Sequence, residues 1–186
     1  KNTRKDLEWV TTRFENALAS YVQHGGHVLG ICGGYQMLGQ VVEDPEGLEG
    51  TPGKSRGLGL LPVETTLQSP KTTTLSEFDW DGCTGRGYEI HMGATRLTAD
   101  APFIRILSRN AVPVQETDGC LASSGRVAGT YIHGFFDSGA IAEKWFSMIG
   151  LDPAPEVKTD LAAEKNKDYD KLKQHMEKYL NMAAIR

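Results

Sequence analysis

Residues 27–39 read His27-Val28-Leu29-Gly30-Ile31-Cys32-Gly33-Gly34-Tyr35-Gln36-Met37-Leu38-Gly39, and this stretch decides the fold. An apolar strand runs from His27 to Ile31 into Gly-x-Cys-x-Gly, and helical spacing follows. The pattern is a nucleophile elbow with sulfur in place of oxygen. Glycine on both sides lets a strand reverse into a helix within two residues, where a Cβ at Gly30 or Gly34 is expected to collide. The turn lifts the Cys32 sulfur above the sheet edge to the first helical turn. Free amide N–H groups and the helix dipole favour thiolate over thiol there, and a thiolate so placed is a nucleophile for acyl transfer. Cys83 and Cys120 lack such a setting and read as small buried apolar residues.

Outward from the elbow, residues 4–23 show helical spacing (Leu7, Val10, Phe14, Leu18, Tyr21, Val22), ended by His24-Gly25-Gly26. Gln36 to Val42 reads as the helix behind the elbow, and 43–57, polar and rich in Gly and Pro, as a long loop. Strand character follows in Leu58–Leu67, with Pro62 arguing for an edge, and in Gly87–Leu97, Phe103–Leu107, Gly119–Ser123 and Val127–Ile132. Residues 139–149 (Ile141, Trp145, Phe146, Ile149) and the charged 160–182 (Leu161, Tyr169, Leu172, Met176, Tyr179, Leu180) read as helices. Helices at both ends with strands between predict an α/β domain, a layered open mixed sheet flanked by helices.

The 186 residues suffice for one domain, 1–186. A net charge of −4 offers no basic field to nucleic acid or a membrane surface. No apolar run reaches transmembrane length. Three cysteines without CxxC spacing speak against a disulfide framework and a zinc site, and fit a reducing, cytoplasmic compartment. No metal ligand set is expected.

A cysteine nucleophile needs a base. His133, in Gly129-Thr130-Tyr131-Ile132-His133-Gly134, ends a short apolar strand, on the rim where an elbow cysteine of an open α/β sheet also sits. His91 lies inside a strand, Tyr88-Glu89-Ile90-His91-Met92-Gly93, with Glu89 and His91 on one face. His24, His27 and His175 have surface or capping settings. Gly53-Lys54-Ser55 resembles the end of a P-loop, but the Gly that a Walker A motif needs is Leu48, and the segment reads as flexible loop.

Together VLGICGGYQMLG (28–39), DPEGLEG (44–50), GLGLLPVET (57–65), RGYEIHMG (86–93) and GTYIHGFFD (129–137) resemble the class I glutamine amidotransferases, which have a flavodoxin-like fold. More narrowly they resemble the C-terminal glutaminase domain of the cobyric acid synthase family. The resemblance implies that Cys32 attacks the side-chain amide of glutamine and that His133 moves the protons. It implies an oxyanion donor in the Gly33 amide, a part for Gln36 in holding glutamine, and substrate contacts for Glu89 and His91 beside it. Ammonia would pass to a synthetase domain in cis that uses ATP and Mg²⁺ to amidate carboxylates of a corrinoid; no cofactor is implied for the present chain. Two features depart from the wider class. The acid usually found two residues after the histidine is Phe135, with Glu89 or Asp137 as candidate substitutes. The resemblance further implies an ATP-binding domain and first strands of the glutaminase domain ahead of the stretches quoted, so an N-terminal truncation is expected. Two other readings stay open: a free-standing amidotransferase subunit with a ligase partner, as in peptidoglycan precursor amidation, and a cysteine hydrolase of the dienelactone hydrolase type. The second would need an acid such as Asp100, Glu116 or Asp118. Phe135 and Phe136 read as core, with a partner-facing role as the alternative.

Overall fold

The computed structural model describes residues 2–99, 101–151 and 161–180. Two compact units result, Lys1–Phe135 and Phe136–Arg186. The first is mixed α/β with open sheets and holds the elbow. Helix α1 spans Thr3–Gln23, with the Asn2 side chain accepting from the Lys5 N–H at its start. Leu7 is buried, and Val10, Leu18 and Val22 pack on the core, whereas Phe14 and Tyr21 are exposed. Strand β1 (Val28–Ile31) follows, then the short helix α2 (Gly33–Leu38).

Beyond α2 the structure departs from the sequence expectation. The helix stops at Leu38, and Val41–Asp44 is a strand, β2, paired antiparallel with β3 (Gly53–Arg56). Two adjacent valines favour a pleated surface over helix. The two ends of the segment 43–57 are therefore ladder, and Gly53-Lys54-Ser55 lies inside β3, with Lys54 paired to Glu43. Residues 45–52 between them are loop, as expected. There the buried Asp44 carboxylate accepts the N–H groups of Leu48 and Glu49 at 2.8 and 2.9 Å, and Glu49 in turn accepts from the Thr3 N–H at 2.5 Å.

Strand β4 is Val63–Thr66, not the whole of Leu58–Leu67, and it is not an edge. It lies between β2 and β7 (Ala94–Leu97) in the order β3-β2-β4-β7. Pro62 precedes the first paired residue, so no ladder bond is lost to it. A long hairpin went unread in the sequence: β5 (Thr72–Trp80) and β6 (Cys83–His91), joined by Asp81-Gly82 with φ of 49° and 85°. That dipeptide is the two-residue hairpin signal that would have found it. Gly87–Leu97 is two strands in two sheets, split at Gly93 (φ 95°). Strands β8 (Ile104–Arg109) and β9 (Val112–Asp118) complete a four-stranded antiparallel sheet, β6-β5-β8-β9, with β6 at its edge. Strands β10 (Cys120–Leu121) and β11 (Val127–Thr130) give a third, mixed sheet in the order β1-β11-β10. The expected mixed α/β class holds, with the strands of the described residues divided among three open sheets.

Two cores hold this unit. Leu7, Tyr35, Leu38, Val42, Val63, Cys120 and Tyr131 belong to one. Phe78, Trp80, Phe103 and Phe135 form an aromatic cluster with centroids 5.2–5.7 Å apart. In the second unit helix α3 is Gly139–Met148, with Trp145 edge-on to Phe136 at 5.8 Å, and α4 is Leu161–Tyr179. The predicted helix ends at 160 and 181–182 lie outside the described residues. Among the described residues no helix is long and apolar enough to cross a membrane.

The strand-to-helix turn tests its own packing. A Cβ on Gly30 would lie 2.6 Å from Leu38 Cδ1 and 2.7 Å from the Gly34 carbonyl carbon, while one on Gly34 meets nothing within 4 Å. The expected collision therefore holds at Gly30 and not at Gly34, which points away from the strand. Gly30→Ala should lower unfolding free energy by about 1–3 kcal/mol. Gly34→Ala should be neutral or stabilising by up to about 1 kcal/mol, because alanine suits a helix. Urea denaturation of both variants checks the pair; equal losses would contradict the packing described.

Candidate functional site

Strands β1 and β11 run parallel in the register Val28↔Val127 to Ile31↔Thr130, so their C-terminal ends lie side by side. Cys32 leaves β1 at that end, its N–H donating to the Thr130 carbonyl at 2.9 Å. His133 leaves β11 at the same end, three residues past Thr130. Cysteine and histidine thus share one rim. Cys32 sits at φ 54°, ψ −113°, a conformation that costs a non-glycine residue on the order of 1–3 kcal/mol. The sulfur is buried, 5% of the residue being exposed, but stands outside the main apolar core, which contains Cys120 instead. Gly33 is the first residue of α2, where the N–H has no intrahelical acceptor.

Edge strand β6 closes the site. In an antiparallel ladder alternate residues turn both N–H and C=O to the same edge. Tyr88 and Ile90, and Met92 just past the strand end, turn theirs away from β5. The Tyr88 carbonyl accepts the His133 N–H at 2.8 Å, and the Tyr88 N–H donates to the His133 carbonyl at 3.1 Å. The Ile90 carbonyl accepts from Cys32 Sγ at 3.8 Å. The Met92 carbonyl accepts from Gln36 Nε2 at 3.1 Å. One strand edge thereby meets Cys32, Gln36 and His133. Gly87 permits the approach, since a Cβ there would stand 2.3 Å from the His133 carbonyl oxygen.

Glu89 and His91 point to the other side. His91 stacks on Tyr131 at 3.6 Å; its Nε2 is 3.4 Å from Glu89 Oε2 and its Nδ1 3.2 Å from the Gly93 carbonyl oxygen. Glu89, 1% exposed, also accepts from Ser76 Oγ at 2.8 Å and pairs with Arg109 at 3.1 Å. Burial alone would raise its carboxyl; hydrogen bonds from His91 and Ser76 and the Arg109 charge outweigh it and hold the group below its ordinary value. Gln36, 1% exposed, donates to Tyr131 Oη at 3.1 Å, and that hydroxyl shares a 2.5 Å hydrogen bond with Thr95. Burial pushes the Tyr131 hydroxyl up to about 12. Asp118 accepts from the Thr130 hydroxyl and from the Tyr131 N–H at 3.0 Å. Glu89, His91, Thr95, Arg109, Asp118 and Tyr131 line part of a polar cavity of about 290 Å³.

Of the sequence-derived site residues, the structure gathers Cys32, Gly33, Gln36 and His133 at the rim. It sets Glu89 and His91 one layer back, joined to Gln36 through Tyr131. Tyr131, Thr95 and Arg109 went unread; Tyr131 stacks on His91 and His133 on Tyr88, on opposite faces of β6, so spacing from His133 carried no signal for it. Phe135 is core, stacked on Phe78 at 5.3 Å. Asp137 lies in the second unit, and Asp100 lies outside the described residues. Glu116 approaches Arg109 Nε at 3.2 Å. His24 caps α1, with Nδ1 2.7 Å from the Ser20 carbonyl oxygen.

With this geometry in hand, comparison with known proteins is informative. A family model for a CobB/CobQ-like glutamine amidotransferase domain matches residues 1–141. Cobyric acid synthase from Chlorobium phaeobacteroides strain BS1 is 44% identical over all of this chain and 38% of its own length. The protein of the same name from Chloroflexus aurantiacus is 37% identical, again over all of this chain and 38% of its own. The chain therefore spans under two-fifths of these relatives. The structure of PurLQS from Thermotoga maritima aligns with a TM-score of 0.47 at 17% identity, over 82% of this chain and 68% of that one.

Asp118 makes the interior pH-sensitive. Burial raises its carboxyl from 3.8 to about 6, against hydrogen bonds from Thr130 and the Tyr131 N–H. A folded value above the unfolded one means a stabilising contribution that is complete below pH 3.8 and lost as pH rises through about 6. Glu89 acts oppositely: its contribution is complete above pH 4.5 and lost as pH falls through its depressed folded value. Asp118→Asn keeps an acceptor oxygen for Thr130 and Tyr131 without the charge. Between about pH 4 and 7 its unfolding free energy should gain on the parent by on the order of 2 kcal/mol. A difference that stays constant with pH in urea titrations would contradict this.

Proposed function

The chain belongs to the CobB/CobQ-like glutamine amidotransferase domain family, and from that premise we propose that it is the glutamine-hydrolysing part of a cobyric acid synthase. The observation that carries the reading is the parallel register of β1 and β11, which brings an elbow cysteine and a histidine to one rim. The names and identities of the relatives support the specific enzyme.

In this mechanism the Cys32 thiol gives its proton to His133, and the sulfur attacks the γ-carbonyl carbon of glutamine. The Gly33 N–H donates to the oxyanion. As the C–N bond breaks, His133 returns the proton to the departing nitrogen, and ammonia leaves a γ-glutamyl thioester on Cys32. Water, deprotonated by His133, attacks the thioester; glutamate departs and the thiol is restored. Glutamine and water thus become glutamate and ammonia. The resting contact from Cys32 Sγ to the Ile90 carbonyl holds the nucleophile in place. Gln36 lies one helical turn beyond the cysteine and borders the substrate; Glu89 and His91 stiffen that border through Tyr131.

The ammonia serves a synthetase domain of the same polypeptide, in which ATP and Mg²⁺ activate corrinoid carboxylates for amidation. Residues 1–186 act as one glutaminase domain in the cytoplasm, with no bound cofactor of its own.

Substitution separates the two halves. In the full-length protein Cys32→Ala should abolish glutamine-dependent amidation and labelling by a diazo-ketone glutamine analogue. His133→Ala should lower glutamine-dependent turnover by about 10²–10⁴-fold. Both should retain amidation driven by free ammonia. Labelling that survives Cys32→Ala, or equal loss of both activities in His133→Ala, would contradict the roles given.

A further inference from the structure

The position two residues after the histidine is Phe135, sunk in the aromatic cluster, and Glu89 is engaged by Ser76, His91 and Arg109. We propose that Tyr88 is a positioning residue for His133, holding the imidazole by a paired backbone bridge and a parallel ring stack.

Three observations meet at this residue. Tyr88 and His133 exchange two backbone hydrogen bonds, at 2.8 and 3.1 Å, as a single antiparallel bridge outside any sheet. Their rings stack with centroids 4.9 Å apart and planes 7° from parallel. Gly87 is the residue whose missing Cβ lets β6 come this close. The bridge fixes the backbone from which the imidazole projects, and the stack fixes the plane of the ring. Phe135 anchors the chain on the far side of Gly134. An aromatic face within about 6 Å attracts a cation, so the imidazolium formed during acyl transfer keeps the same seat. Tyr88 itself is 47% exposed; its ring adds little to the core, so its place is better explained by the histidine than by packing.

The inference rests on the glutaminase reading, and the test separates the two. In the full-length protein Tyr88→Leu should lower kcat for glutamine hydrolysis by about 10–100-fold while KM changes less than about threefold, because a displaced proton carrier slows chemistry without touching substrate. Tyr88→Phe keeps the ring face and should stay within about twofold of the parent. Amidation driven by free ammonia should be unchanged in both. Tyr88→Ile, with higher strand propensity, serves if the leucine variant does not fold. The proposal is overturned if the leucine or isoleucine variant keeps kcat within twofold, if phenylalanine loses as much as leucine, if KM rises alone, or if neither aliphatic variant folds. A parent protein that releases no ammonia from glutamine would instead sink the glutaminase reading, and this role with it.

Discussion

The outer edge of β6 is the constraint on which the rest of the site depends. An edge strand exposes unpaired backbone donors and acceptors that a fold must cover or pair. Here they are paired, not with another strand but with the candidate site residues: the carbonyls of Tyr88, Ile90 and Met92 meet His133, Cys32 and Gln36. Because carbonyls on one strand edge repeat every second residue, about 6.6–6.8 Å apart, the strand acts as a ruler for the site. The antiparallel sheet that carries β6 is in this way joined to the rim of the β1–β11 pair through Cys32, Gln36 and the His133 backbone.

That union explains how a strained elbow is retained. The backbone of Cys32 occupies a region few non-glycine residues adopt, and the strain persists only where neighbours over-determine it. Three contacts do so. The Cys32 N–H continues the β1–β11 ladder to Thr130, Gly30 lets α2 fold back onto β1, and Gln36 ties the next turn to Met92 and Tyr131. Beneath them the charges of Glu89 and Arg109 neutralise one another in the interior. Ser76 and His91 also hold Glu89, and Glu116 also approaches Arg109.

Much of this was legible from residues alone, and what was not has identifiable causes. The elbow, α1, β1 and β11 carry local signals: a period, a glycine frame, a terminating Gly-Gly. The place of His133 at the rim follows from its position just past an apolar strand, three residues after Thr130. The β5–β6 hairpin was missed although Asp81-Gly82 marks its turn, because Thr72–Ser76 turns its one apolar residue, Leu75, to solvent and its polar Ser76 inward, so hydropathy does not follow burial there. Val41 and Val42 were taken into a helix by proximity to α2; Gly39 was the stop that should have ended it. The backbone role of Tyr88, Ile90 and Met92 has no side-chain signature at all. Reading side chains along β6 draws the eye to Glu89 and His91, one layer behind the rim, whereas the contacts to the rim come from the carbonyls between them.

The measurement nearest to the central claim is chemical trapping of the acyl-enzyme. Full-length protein quenched with acid during turnover of isotopically labelled glutamine, then digested and analysed by mass spectrometry, should show a glutamyl adduct on the peptide that contains Cys32. Ammonia release accompanied by an adduct on Cys83 or Cys120, or by none on any cysteine under conditions that preserve thioesters, would contradict the account.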